Sequence, residues 1–468
     1  MTYMCLEIRQ SSCYPPVYAG GFSLMAQPHG FFQGKTVAEL SRQVRNQEVR
    51  CVQLTQAALD AIHQLNPAIN AFVSLNVAEA LHTAQLLDRE IDEGQYRGPL
   101  HGIPIAIKDN IDTRGMPTTY GSHLFQNHWP TADARCVAQL RTAGAVVVGK
   151  TLTSEFALGP TGEFSFQGPS HNPHDLNRVT GGSSAGSAAA VAGGMVPIAI
   201  GTDTAGSIRI PASFCGVVGF KPSYGRISLE GVYPVSATLD HVGPLAQCVE
   251  DIAILLEVLS VSPISCVKPA DKPRAVWVDP KAIHDVDERV LACCRARFHA
   301  IFGTEQRAVD FEALIPAVQS AFKTILLAEA YAVHSAYLED EGSHFSSELR
   351  TRLASGKAIS AWQYLNALGS RKLLQSQVAE LFKATDLLVM PSTAITPPRF
   401  GLKRVTVNGV EHPIREAING LTSVWNLLGL PAINVPAGTV DGLPCGLQII
   451  AGPNQDEKLL AWLAALQV

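Results

Sequence analysis

Charge is scarce in this sequence. Asp, Glu, Lys and Arg make up 16% of 468 residues, and the formal net charge is −5. No long run of lysine or arginine occurs, which disfavours direct binding to nucleic acid or to an anionic membrane surface. Long apolar runs are missing too. The longest near the motifs below, residues 188–200, is broken by Gly193, Gly194 and Pro197 and is too short to span a bilayer. The N-terminus lacks the basic-then-apolar pattern of a secretory signal. Ten cysteines are present, with no CxxC and no Cys/His pairs at zinc spacing; Cys293 and Cys294 are adjacent. They are expected to be reduced, mostly buried thiols of a cytoplasmic protein without a metal. A hydrophobic content of 47% is ample for a large core, in two or three ordinary domains or one large α/β domain.

Residues 1–34 carry Pro15, Pro16, Gly20, Gly21 and Pro28 without a period and read as an irregular leader. Thr36 with Glu39 opens a helix as a capping box. A second helix is expected over about 51–64, stopping before Pro67, and a third over about 77–93. "GIPIAIKDNI" reads as a buried strand with Lys108 at its end, 132–143 as a helix and "AVVVG" as a strand. Strands and helices alternate to about 260, and residues 284–385 are helical in pattern. "DLLVMPS", "LPAINVPAG" and "GLQIIAG" are strands again. Because strands return at the end, one α/β sheet fed by both halves is favoured over two independent domains.

"GAVVVGKT", residues 144–151, matches the phosphate-loop pattern letter for letter. Three consecutive β-branched valines make a strand, not a phosphate-cradling loop, and Gly144 serves as the stop of the preceding helix. Lys150 is then a strand-end lysine, and nucleotide binding is set aside.

The chemistry-bearing stretch is "GGSSAGSAAAVAGGMVPIAIGTDTAGSIRIPA", residues 181–212, with Ser183 and Ser207 in two glycine loops 24 residues apart. It contains no histidine, and neither serine stands in G-x-S-x-G. A serine needs a base to become nucleophilic. A lysine can serve if burial lowers its pKa from about 10.4 toward 7 to 8. Lys108, after a wholly apolar strand, is the candidate base; its bland alternative is an ion pair, for instance with Asp109.

Residues 98–261 resemble the amidase signature family in "PLHGIPIAIKDNI", in the serine-glycine block through "FKPSYGRIS", and in "LDHVGPLA". "NLLGLPAINVPAG" and "GLPCGLQIIAG" resemble its closing segment, and the likeness weakens in 265–385. The resemblance implies an amidase signature fold, a central mixed β-sheet flanked by helices on both faces. It implies a single domain over 35–468: signature core 98–261, variable and mostly helical 265–385, closing strands and helix 386–468. It also implies a triad of Ser207 as nucleophile, Ser183 as bridging serine after a cis peptide bond, and Lys108 as base. Backbone N–H groups of Thr204, Ala205, Gly206 and Ser207 are then the expected oxyanion hole. Two positions depart from the commonest pattern, Ala185 and Ala205, each replacing a glycine; Ala205 bears on substrate size. Ser184, Ser187, Asp203 and Arg209 read as supports of the two loops, and Cys215 as core.

The expected activity is hydrolysis of a C–N bond through an acyl-enzyme, without metal or organic cofactor. The substrate class is an amide or a carbamate (urethane), with small urea-like acids as an alternative. Expected pocket residues are Phe156, Leu158, Phe164 and Phe166 from one side, and Ile418, Leu421 and Trp425 from the other. Such an aromatic lining favours an apolar group. A second reading is the glutamine-hydrolysing subunit of a tRNA-dependent amidotransferase. A homo-oligomer is compatible with either.

Overall fold

The computed structural model describes residues 29–264, 271–303, 311–338 and 345–468. Most of the expected leader, residues 1–28, lies outside them. The chain opens with α1 (Val37–Arg45), whose N-cap Thr36 Oγ1 accepts the Glu39 N–H at 3.1 Å. There follow α2 (Cys51–Ile69), β1 (Phe72–Leu75), α3 (Val77–Asp92), β2 (Pro104–Lys108), α4 (Arg135–Thr142) and β3 (Val146–Thr151). A small hairpin, β4 (His171–Asn172) and β5 (Asp175–Val179), precedes α5 (Ala185–Ala192), β6 (Ile198–Thr202), α6 (Arg209–Cys215), β7 (Val218–Lys221), β8 (Val242–Ala246) and α7 (Val249–Leu259). After β9 (Ala275–Trp277) come the helices α8 (Glu288–Phe302), α9 (Ile315–Leu338), α10 (Ser347–Ser355) and α11 (Ala361–Ala384). The chain closes with β10 (Leu387–Pro391), the hairpin β11 (Arg404–Val407) and β12 (Val410–Pro413), α12 (Ile414–Asn419), α13 (Ser423–Leu428), β13 (Ala432–Val440), β14 (Leu443–Ala451) and α14 (Asp456–Ala465).

Ten strands form one mixed sheet in the order β1-β3-β2-β6-β8-β7-β13-β14-β10-β9. β2 runs parallel to β3 and β6, and β9 to β10; the other pairs are antiparallel. Every residue of β2, β3, β6 and β14 is buried. Such strands read as continuous apolar runs because helices cover both faces. On β14 this is visible directly. Cys445 meets Cys293 of α8 with the sulfurs 3.2 Å apart, while its neighbour Gly446 abuts Ser213 of α6. Successive strand residues face opposite sides, so α8 and α6 lie on opposite faces.

The sheet joins both halves of the chain, with β7 paired to β13. Two elements differ from expectation. α2 does not stop before Pro67 but runs through it to Ile69. The bond that Pro67 cannot donate lies in the last turn, which Asn70 N–H closes onto the Asn66 carbonyl at 2.7 Å, while buried Leu65 and Ile69 hold the turn in the core. β9, in a region expected to be mostly helical, adds a short edge strand. β3 takes up residues 146–151 of the phosphate-loop look-alike, and the look-alike's first residue, Gly144, has a φ of +88° and follows the end of α4.

Candidate active site

β2, between β3 and β6, carries Lys108 into the interior, where it has 0% exposure. Its Nζ donates to Ser183 Oγ at 2.8 Å and to Thr202 Oγ1 at 2.7 Å. Burial drives its pKa down from 10.5 to about 7, against the pull of Asp203 and Asp240, which raise it. An amine lowered so far is partly uncharged at neutral pH, with a lone pair able to accept a proton. Asp109 is not its partner. That carboxylate stands 3.7 Å from Lys150 Nζ on β3, both fully buried, and Lys150 is itself pulled down to about 8 by burial.

Ser183 sits in the turn between β5 and α5, and the Gly182–Ser183 peptide bond is cis. The segment 154–162 packs against this turn so closely that a Cβ on Gly182 would come within 2.6 Å of the Gly159 carbonyl. Gly182 N–H donates to the Pro160 carbonyl at 2.8 Å. The neighbouring serines act as supports: Ser184 Oγ donates to the Thr202 carbonyl and Ser187 Oγ to the Ile200 carbonyl, each at 3.1 Å.

Ser207 lies in the loop between β6 and α6, and Asp203 organises that loop. The Asp203 carboxylate accepts the N–H groups of Gly206 (2.7 Å) and Ile208 (3.1 Å), Arg209 Nε (3.0 Å) and Asn426 Nδ2 (2.8 Å). Burial would raise its pKa, but Arg209 and Asn426 hold it well below the usual carboxylate range. Gly206 has a φ of +120°, and a Cβ there would fall 2.1 Å from Thr422 Oγ1, so this turn requires glycine. Thr422 Oγ1 also donates to the Ala205 carbonyl at 2.7 Å, which ties the loop to the chain's last quarter.

Two expectations change here. Gly206 N–H is engaged by Asp203, so it does not face the open side of the loop. The N–H groups of Thr204, Ala205 and Ser207 donate to no protein acceptor among the described residues. The two loops are joined through the backbone, Ser184 N–H donating to the Ser207 carbonyl at 3.1 Å. Among the described residues no hydrogen bond links Ser207 Oγ to Ser183 Oγ, so only the Ser183–Lys108 link is closed in this structure. Catalytic hydrogen bonds often close only when a substrate is seated.

Ser207 borders a narrow hollow of about 30 Å³, together with Leu158, Pro160, Thr204, Ala205 and Val235. Leu326, Arg352, Arg415 and Asn419 line both this hollow and a wider outer cavity of about 1000 Å³. Of the expected pocket residues, Leu158 is at the hollow. Phe156 is fully buried among Phe125, Tyr233, His334 and Phe345. Ile418 and Leu421 are core residues, and Trp425 stacks on Phe311 with ring centroids 5.2 Å apart. Phe164 borders a cavity that shares Pro160 and Arg415 with the hollow, and Phe166 is exposed with its ring against His123. Proximity in sequence misled because a large apolar side chain beside a motif turns into the core when the core is on offer. Sequence reasoning missed Thr202, Arg352, Arg415 and Asn419. Thr202 stood inside the quoted block, beside the second glycine loop; the other three had no local signal. Among the described residues no group of three His, Cys, Asp or Glu side chains could hold a metal ion, and no helix is long and apolar enough to cross a membrane.

Comparison with known proteins gives a consistent picture. The family model described as Amidase matches residues 53–460. A protein of Symbiobacterium thermophilum, named as a glutamyl-tRNA(Gln) amidotransferase subunit, is 35% identical over 91% of this chain and 95% of its own. A solved structure described simply as an amidase is 34% identical, with a TM-score of 0.85 over 92% of this chain and 99% of that one. Another, described as revealing the evolutionary origins of an s-triazine catabolic enzyme through a vestigial protein complex, is 32% identical. It has a TM-score of 0.87 over 92% and 98% of the two chains.

Proposed function

Because the chain belongs to the amidase family, we propose that it cleaves the C–N bond of a small linear amide or carbamate through an acyl-enzyme on Ser207. The observation that carries this reading is a fully buried lysine amine, its pKa lowered by burial, 2.8 Å from one of two motif serines. Lys108 Nζ takes the Ser183 proton as Ser183 Oγ takes that of Ser207, and Ser207 Oγ adds to the substrate carbonyl carbon. The N–H groups of Thr204, Ala205 and Ser207 receive the oxyanion. When the tetrahedral adduct collapses, the C–N bond breaks. The proton held on Lys108 returns through Ser183 to the leaving nitrogen. Water, deprotonated through the same relay, then releases the acid and restores Ser207. We place the reaction in the cytoplasm, where thiols such as the seven described ones, none of them in a disulfide, stay reduced.

The test is labelling with a fluorophosphonate followed by peptide mapping. Wild type is expected to be modified at Ser207, and Ser207→Ala to show neither labelling nor turnover. Full labelling of that variant overturns the assignment. A second reading, favoured by the name of the relative from Symbiobacterium thermophilum, keeps this chemistry but takes glutamine as substrate. It would pass ammonia to partner subunits of a tRNA-dependent amidotransferase. Glutaminase activity that rises with co-purified partner chains supports it, and its absence counts against it.

A further inference from the structure

Two cavities open beside the hollow at Ser207, and different parts of the chain build them. The outer cavity is lined from residues 283–284 and from α9, α10, α12 and α13, with nothing from residues 154–164. The other, of about 630 Å³, shares Pro160 and Arg415 with the hollow and continues along residues 160–164. Its volume is within the usual range for a small-molecule site.

The serine relay decides which part of a substrate this second cavity meets. The proton for the leaving nitrogen comes through Ser183, so that nitrogen faces Ser183 as the C–N bond breaks. The wall beside Ser183 is the segment 159–162. Gly182 N–H donates to the Pro160 carbonyl at 2.8 Å, and a Cβ on Gly162 would fall 2.7 Å from Thr180 Oγ1 and 2.8 Å from the Gly181 carbonyl oxygen. Pro160 borders both the hollow and the cavity. A substituent on the nitrogen runs past it from one into the other.

The walls there are apolar. Pro160 and Phe164 stand on one side, and Leu402, Pro413 and Ile414 on the other. Phe164 is 44% exposed and Leu402 42%, so each wall offers a large apolar side chain that a ligand would cover. The two walls are already fixed to each other, because Glu163 Oε1 accepts the Gly401 N–H at 2.6 Å. Ile414 N–H donates to the Lys403 carbonyl at 2.9 Å, which holds the second wall together.

We propose that the leaving nitrogen carries an apolar group of phenylalkyl size, seated in this cavity between Phe164 and Leu402, so that the substrate is the amide or carbamate of an apolar amine and not a primary amide. This rests on the acyl-enzyme reading at Ser207 and deepens it by naming the amine. Phe164 and Leu402 are specificity-determining residues and take no part in the proton relay.

The experiment measures kcat/KM for three amides. N-propylacetamide and N-(3-phenylpropyl)acetamide differ by a ring on the amine and release amines of nearly equal basicity. N-propyl-4-phenylbutanamide carries the ring on the acyl side. The ring on the amine should raise kcat/KM by about 30-fold, as burial of an aromatic group does. In Phe164→Ser and in Leu402→Ser that ratio should fall to about fivefold or less, while the ratio for the acyl-side ring stays as in wild type. Trp362→Ser, at a 71% exposed side chain on α11, is the control and should leave both ratios unchanged. Labelling of Ser207 by a fluorophosphonate reports on the folding of each variant.

N-(3-phenylpropyl)acetamide within about threefold of N-propylacetamide in wild type, a preference undiminished in both variants, or a loss that falls on the acyl-side ring instead overturns the proposal. Labelling of Ser207 without the preference, or without turnover of either acetamide, refutes the cavity assignment alone. No labelling of Ser207 at all refutes the acyl-enzyme reading beneath it.

Discussion

Replacing Lys108 by methionine should stabilise the protein at neutral pH while abolishing turnover. In the folded chain the Lys108 amine titrates at about 7 rather than 10.5 because burial disfavours its charge. Unfolded, it holds its proton up to the ordinary value. Between pH 7 and 10.5 the unfolded state therefore binds one more proton than the native state, and native stability climbs with pH across that window. A gap of 3.5 pH units at about 1.4 kcal/mol each is worth about 5 kcal/mol. That cost is almost fully present at pH 7 and nearly gone at pH 10.5. Methionine fills a similar volume and carries no charge, so Lys108→Met removes the pH-dependent part altogether. It also removes the donor to Ser183 Oγ and Thr202 Oγ1, a loss of about 1–3 kcal/mol that does not vary with pH. The assay is urea denaturation of both proteins from pH 6 to 10.5, read as the difference in unfolding free energy. The advantage of the variant should be largest at pH 7 and below and shrink by about 4–5 kcal/mol toward pH 10.5. A difference that stays flat across this range would mean that Lys108 is charged in the native state, and the relay would lose its base.

Three other outcomes follow from the same geometry. The kcat/KM of wild type should rise as pH passes through about 7 and level off above, since protonated Lys108 accepts nothing; in Asp240→Asn the loss of a carboxylate that raises the Lys108 pKa should move this limb to lower pH, and an unmoved limb assigns it to another group. Gly206→Ala, with a φ of +120° and a Cβ 2.1 Å from Thr422 Oγ1, should cost about 3 kcal/mol or more, measured by denaturation; a near-neutral effect refutes the requirement for glycine. Arg209→Met strands the Asp203 carboxylate in a site with no exposure and should cost about 3–5 kcal/mol, with the double variant Arg209→Met/Asp203→Asn recovering part of it; a double variant no better than the single one removes the charge argument.

The legible part of this protein is local in sequence. Lys108, Ser183 and Ser207 stand in strings whose glycines and small residues have few other uses, and the apolar "PIAI" before Lys108 announced its burial. The valines of "GAVVVGKT" told strand from phosphate loop. What stayed hidden depends on direction or on distant packing. The choice of Asp203 as acceptor for Gly206 N–H is a matter of which way one amide points. Phe156 and Trp425 are large and apolar, and nothing in their spacing separates a pocket wall from the core behind it. Arg352 and Arg415 line the hollow at Ser207 only because α10 and α12, distant in sequence, border it, and the letters around them carry no pattern of their own. Pro67 misled because a missing donor matters less in a helix's final turn than in its middle.

The interleaving of strands has a consequence for biosynthesis. β13 and β14, the last two strands, are wedged between β7 and β10, and Asn426, Thr422 and Gln448 brace the loop that bears Ser207 through Asp203, the Ala205 carbonyl and Arg209. A chain still attached to the ribosome lacks those braces until nearly all of it has been made. A fragment that ends before α13 keeps Lys108, Ser183 and Ser207 yet lacks the Asn426 and Gln448 braces of the Ser207 loop.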